Sequence, residues 1–131
     1  MNPDEPMVQI EHGPQATVIT LLGPELIEDR VISRLEDALV GVVMEQPARH
    51  MILDFCQVRL LSSSLLGLLI RLKKTLAEQN ARLLVCCIRR EITSTPQDKY
   101  VYELLKIVRL DSVFEICDGV DQALSRLEAN A

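Results

Sequence analysis

Aromatic side chains are almost missing from this chain, which has no Trp, two Tyr and two Phe among 131 residues. The core must therefore be aliphatic, and no set of rings is available on which single-stranded bases could stack. Basic charge is also short: 14 Lys and Arg stand against 19 Asp and Glu, for a net charge of −5. Without a basic stripe to neutralise phosphates, nucleic acid is excluded as a partner. The two histidines, His12 and His50, sit near the ends of apolar runs with no companion at ligand spacing. The four cysteines, Cys56, Cys86, Cys87 and Cys117, form no CxxC pair and no zinc spacing, so they read as small buried hydrophobes in strands. No Ser-His-Asp set, carboxylate pair or glycine-rich phosphate cradle can be assembled. Neither a metal, a cofactor nor an enzymatic activity is expected. No apolar run is long and uninterrupted enough to span a bilayer. The opening MNPDEPMVQIEHG has neither the charged n-region nor the apolar h-region of a secretory signal. These features predict a cytoplasmic protein with no membrane insertion.

What the chain does have is aliphatic surface in regular patterns. An apolar content of 48% in a chain of this length fits one domain with a real core. Residues 1–6, with two prolines and little to bury, read as a loose arm, leaving 7–131 as a single domain. Val8–His12 alternates apolar and polar residues, Gly13-Pro14 breaks it, and Ala16–Leu22 resumes with β-branched residues. That pattern predicts an antiparallel hairpin at a sheet edge. Such an edge offers a strand for pairing with a copy of itself, unless the acidic arm blunts it.

Gly23-Pro24-Glu25 reads as a stop followed by a helix start, with Glu25, Glu28 and Asp29 complementing the dipole. Ile27, Val31, Leu35, Leu39 and Val42 then recur at helical spacing over about five turns. His50–Phe55 is a short apolar run of the kind found in a strand covered on both faces. Cys56–Leu61 reads as a loop, Ser62–Gln79 as a helix and Leu83–Ile88 as another buried strand. Arg89–Lys99 is polar and loop-like, Tyr100–Val108 helical and Val113–Ile116 a short strand. A last helix opens at Asp118 or Gly119 and carries Leu124 and Leu127. Strands alternating with helices predict an α/β fold with a mixed, mostly parallel sheet of four to five strands and about four helices.

The functional interest lies in Met51–Leu72, where a buried strand ends at Asp54 and three serines open an apolar helix. The first amides of a helix lack intrahelical partners and carry the positive end of its dipole, which favours an anion there. Ser62, Ser63 and Ser64 read equally as cap and first-turn residues satisfying those amides. Asp54 reads as a polar strand terminus, with shaping the loop before Ser62 as the alternative. Leu65, Leu68, Leu69, Leu72 and Leu76 form the buried stripe. Leu66 and Ile70 widen that stripe beyond what a sheet needs, so part of it is available to a partner. Lys73 and Lys74 read as a solvated face that can also meet an acidic partner.

With the element order, Leu60-Leu61-Ser62-Ser63-Ser64-Leu65-Leu66-Gly67 and the later Val108-Arg109-Leu110-Asp111-Ser112-Val113-Phe114 make the chain resemble the STAS domain family. It is most similar to the stand-alone bacterial anti-sigma factor antagonists, and the resemblance runs over nearly all of it beyond Met7. The resemblance implies a phosphoacceptor at Ser63, with Ser62 and Ser64 as alternatives, and a partner surface of Ser62, Ser63, Ser64, Leu66, Ile70, Lys73 and Lys74. It also implies the partners: an anti-sigma factor or a histidine-kinase-like serine kinase, and a phosphatase that resets the switch. This chain departs from the family pattern in carrying Ser62 in place of an Asp, Leu65 in place of a Gly, and a longer polar loop over 93–99. The alternative is an interaction module that is not phosphorylated, serving as a signalling scaffold or as the cytosolic partner of a lipid transporter.

Overall fold

The computed structural model describes residues 8–22, 25–26, 29–58, 60–61, 63–87 and 114–129. The N-terminal arm, Ser62, the 93–99 loop, the helix expected over Tyr100–Val108 and most of the Val108–Phe114 segment lie outside the described residues.

The main sheet has five strands: β1 (Val8–His12), β2 (Ala16–Leu21), β4 (His50–Asp54), β6 (Leu83–Cys86) and β7 (Glu115–Cys117). They lie in the order β1-β2-β4-β6-β7. Only the β1–β2 hairpin is antiparallel, and every other pairing in this sheet is parallel. Three helices are described: α1 (Asp29–Glu45), α2 (Ser63–Glu78) and α3 (Val120–Ala129). The mixed, mostly parallel α/β sheet with its N-terminal edge hairpin is the one the strand and helix spacing predicts.

Successive residues of a strand point to opposite faces, and the two cores follow that alternation. Ile19, Leu21, Met51, Leu53, Leu83 and Val85 face α1 and α2 in the larger cluster. Ala16, Ile52, Leu84, Cys86 and Cys117 face α3, which adds Ala123 and Leu127. The parallel strands are thus covered on both sides, which is why β4 and β6 are nearly continuous apolar runs. Truncating a residue such as Leu53, fully buried at 0% exposure, would cost about 2–5 kcal/mol.

Local chemistry explains the ends of the elements. Helix α2 stops at Asn80, which takes φ 61°. Its amide and that of Ala81 bond back to the carbonyls of Ala77 (3.0 Å) and Leu76 (2.8 Å), the reciprocal closure of a Schellman cap. Buried Ala81 and Leu76 provide the apolar contact usual in that cap. Thr17, 1% exposed, keeps its hydroxyl satisfied by His12 Nδ1 at 3.1 Å and Arg49 Nε at 3.4 Å. Arg49 also donates to the Gly13 carbonyl, locking the hairpin turn to the entry of β4.

Two expectations need correction. Glu25 does not start a helix: Glu25–Leu26 is a short strand, β3, and α1 begins at Asp29. The segment before α2 is likewise not all loop, since Leu60–Leu61 forms β5, parallel to β3 with Glu25 opposite Leu60 and Leu26 opposite Leu61. Two-residue strands show no periodicity, so only the pairing reveals them. Their effect is to tie the approach to α1 and the approach to α2 side by side.

Candidate functional site

The site is built at the carboxyl end of β4. Asp54 ends the strand and its Oδ1 accepts the Cys56 amide at 3.0 Å, an Asx turn that reverses the chain. Asp54 therefore shapes the loop, the alternative to a simple polar strand terminus. The Phe55 amide donates to the Cys86 carbonyl and the Val58 amide to the Phe55 carbonyl, both at 3.0 Å. Phe55 and Val58 are fully buried, so the loop is pinned at two points with Cys56 and Gln57 outside. Pairing of β5 with β3 then fixes the chain just before α2.

Helix α2 begins at Ser63. Ser63 and Ser64 thus stand at a helix head and not inside a strand, with Ser64 half-buried. The first turn of α2 carries no acidic residue, so the helix dipole there is not already offset by a carboxylate of its own. Behind that turn Leu65, Leu68, Leu69, Leu72 and Leu76 enter the core as expected.

The other predicted partner residues divide. Ile70 is 53% exposed and does offer apolar surface. Leu66, expected on the same surface, is buried in the larger cluster instead. Helical spacing puts Leu66 on the flank of α2 shared with Lys73, whose Nζ reaches Phe114, and away from the flank whose Arg71 meets Glu36 of α1. Lys74 is exposed. Lys73 is exposed as expected of a solvated face, and its Nζ lies 5.7 Å from the centroid of the buried Phe114 ring, within cation–π range. A link that sequence spacing gives no hint of joins the helices: Arg71 Nε donates to Glu36 Oε2 at 2.7 Å and Arg71 Nη2 to Glu36 Oε1 at 3.1 Å.

The cysteines also divide. Cys86 and Cys117 are buried and opposite one another on β6 and β7. Burial pushes the Cys86 thiol up to about 12 and raises that of Cys117 as well, so neither is a thiolate at neutral pH. Cys87 is half-buried and takes φ 64°. Cys56 is exposed, contrary to the expectation of four buried strand cysteines, because it falls in the turn after β4 and not within a strand. Among the described residues, no group of three or more His, Cys, Asp or Glu is placed to hold a metal ion. None of the described helices is long and apolar enough to cross a membrane.

No curated protein matches the chain in sequence. Solved structures do. An anti-sigma-factor antagonist (STAS) domain protein from Planctomyces limnophilus is similar with TM-score 0.73 and 20% identity, over 92% of this chain and 97% of that one. An anti-sigma factor antagonist from Mycobacterium paratuberculosis is similar with TM-score 0.70 and 21% identity, over 96% and 97%. The Bacillus cell fate determinant SpoIIAA in its phosphorylated form is similar with TM-score 0.61 and 16% identity, over 92% and 98%. At these identities the likeness is one of fold. The STAS domain family model matches residues 7–123, a span that takes in the hairpin, the β4 loop and the serine-headed helix, and the chain therefore belongs to the STAS domain family.

Proposed function

We propose that this STAS domain is an anti-sigma factor antagonist: a non-enzymatic, cytoplasmic regulator of bacterial transcription that works by exchanging partners. In its unphosphorylated state it binds an anti-sigma factor that is also a histidine-kinase-like serine kinase, and so frees a sigma factor. Phosphorylation of Ser63 by that kinase ends the complex, and a phosphatase restores it. The observation that carries this reading is the start of α2 at Ser63, directly after a loop pinned at Phe55 and Val58 and steered by β5. A phosphate at that position adds nearly two negative charges at the positive end of the α2 dipole, which the domain accommodates. The same charges repel an acidic or nucleotide-bearing partner surface. The contact patch is Ser62, Ser63, Ser64, Ile70 and Lys74, with Lys73 at its margin. The SpoIIAA fold, similar to this one, is known in a phosphorylated form, and that likeness supports the switch.

The test is incubation with the cognate serine kinase and ATP, followed by mass spectrometry and partner-binding measurements. Phosphate on Ser63, retained binding by Ser63→Ala and lost binding by Ser63→Asp are expected. Absence of phosphate from Ser62, Ser63 and Ser64, together with equal binding by both variants, would instead leave an interaction module that is always engaged. Ser62, standing where the family pattern has an Asp, is the feature that favours that second reading.

A further inference from the structure

The outer strand of the hairpin carries information that the switch does not use. Strand β1 is an edge of the main sheet, and Gln9, Ile10, Glu11 and His12 are all exposed. Among the described residues no strand lies beyond it. The Gly13 amide donates to the Ala16 carbonyl at 2.9 Å, which fixes the phase of the ladder. His12 opposite Thr17 is then a pair without mutual hydrogen bonds. By alternation so are Ile10 opposite Ile19 and Val8 opposite Leu21. The backbone N–H and C=O groups of Val8, Ile10 and His12 therefore point outward, away from β2.

We propose that this edge pairs with the β1 edge of a second copy, antiparallel and centred on Ile10, joining two five-stranded sheets into one across a twofold axis. In that register Ile10 faces Ile10 of the other copy, and Val8 faces His12 in both directions. All the outward groups of β1 then enter facing pairs that exchange two hydrogen bonds each. On one face of the joined sheet the row is Val8, Ile10 and His12, with the 41%-exposed Ile10 side chains meeting at the centre. On the other face Gln9 meets Glu11, so the negative charges are separated and each carboxylate gains an amide. Shifting the centre to Glu11 sets two carboxylates opposite one another, which is repulsive. Shifting it to Gln9 leaves the outward groups of His12 unpaired. The edge is thus self-complementary in one register. A five-residue edge buries less than the roughly 1,000 Å² of a stable dimer, so the association is weak and concentration-dependent. It is independent of the state of Ser63.

Sedimentation equilibrium of the full chain over a concentration series tests this. The wild-type chain is expected to pass from monomer to dimer. Gln9→Glu places Glu beside Glu11 twice per dimer and is expected to weaken association on the order of 2- to 30-fold. Adding Glu11→Lys to Gln9→Glu restores it, a rescue that damage to folding would not give. Ile10→Pro removes an outward N–H that β2 does not use, and weakens association by at least about 10-fold while the monomer stays folded. A wild-type chain that stays monomeric throughout overturns the proposal and leaves the edge to residues 1–7 or to a different protein. A dimer indifferent to Gln9→Glu and to Ile10→Pro overturns it equally, since its contact lies elsewhere.

Discussion

Gly67 lies one helical turn before Arg71 on α2, and a Cβ at Gly67 would stand 3.2 Å from Arg71 Nη1. Arg71 in turn holds Glu36 of α1 through two hydrogen bonds. The absence of a side chain at Gly67 therefore leaves room for the clasp that ties α2 to α1. Since the Arg71 side chain is 59% exposed, it can shift by the few tenths of an ångström that a methyl requires. Gly67→Ala is expected to stabilise the domain by about 0.5–1 kcal/mol through helix propensity. Gly67→Leu, by contrast, displaces Arg71 altogether. Urea denaturation of Gly67→Ala checks the sign. Arg71→Ala should lower stability only slightly, and less still in high salt, because the pair is exposed.

Stability should fall in two stages as pH drops. His50 Nδ1 accepts the Arg82 amide at 3.0 Å, which requires that nitrogen to be unprotonated. Burial first, and then the Arg82 guanidinium, hold the His50 pKa below its usual 6.5. The unfolded chain thus takes up the proton before the folded one, and the stability that neutral His50 confers, fully present above pH 6.5, is lost as pH falls below it. The second stage comes from Glu115 and Glu36, whose pKa values are lowered below 4.5, chiefly by hydrogen bonds from Arg82 and Arg71 respectively. Their contribution is present above pH 4.5 and lost below it. Thermal melts from about pH 8 to about pH 2 should resolve both stages, and His50→Gln should abolish the first while leaving the second.

Thiol chemistry should sort the cysteines by position. Cys56 is exposed and should react first with a maleimide in the native protein. Cys86 and Cys117, buried and held protonated, should react only on unfolding. Mass spectrometry of briefly labelled native protein checks this. Labelling of Cys117 as fast as Cys56 would contradict the packing of α3 over β7.

The exposed Ile70 separates recognition from folding. Ile70→Glu should change stability by no more than about 0.5 kcal/mol, because the side chain is largely in solvent. Under the partner-exchange reading it should weaken anti-sigma factor binding by more than about 10-fold, the usual loss at an apolar anchor. Leu66→Glu, at a buried position, should unfold the domain instead. Thermal melts alongside a binding titration distinguish the two.

Much of this could be read from residue order. The alternation of Val8–His12 and Ala16–Leu21, broken at Gly13-Pro14, is local and predicts the hairpin. The continuous apolar runs at β4 and β6 predict burial on both faces. Leucines at helical spacing behind three serines locate α2 to within a residue of its start at Ser63. What could not be read depends on groups far apart in the chain. The β3–β5 pair exists because Glu25–Leu26 and Leu60–Leu61 meet in space, and neither segment has a period to announce it. The exposure of Ile70 and the burial of Leu66, neighbours on one stripe, were decided by which flank of α2 the rest of the fold covers. The engagement of Lys73 with Phe114 likewise required β7 to return beside α2. Short-range patterning set the elements and their order because side-chain period is a property of the local backbone. Which flank of a helix stays open, and which polar groups find partners, was settled by packing, since a surface exists only once the elements have been laid against one another.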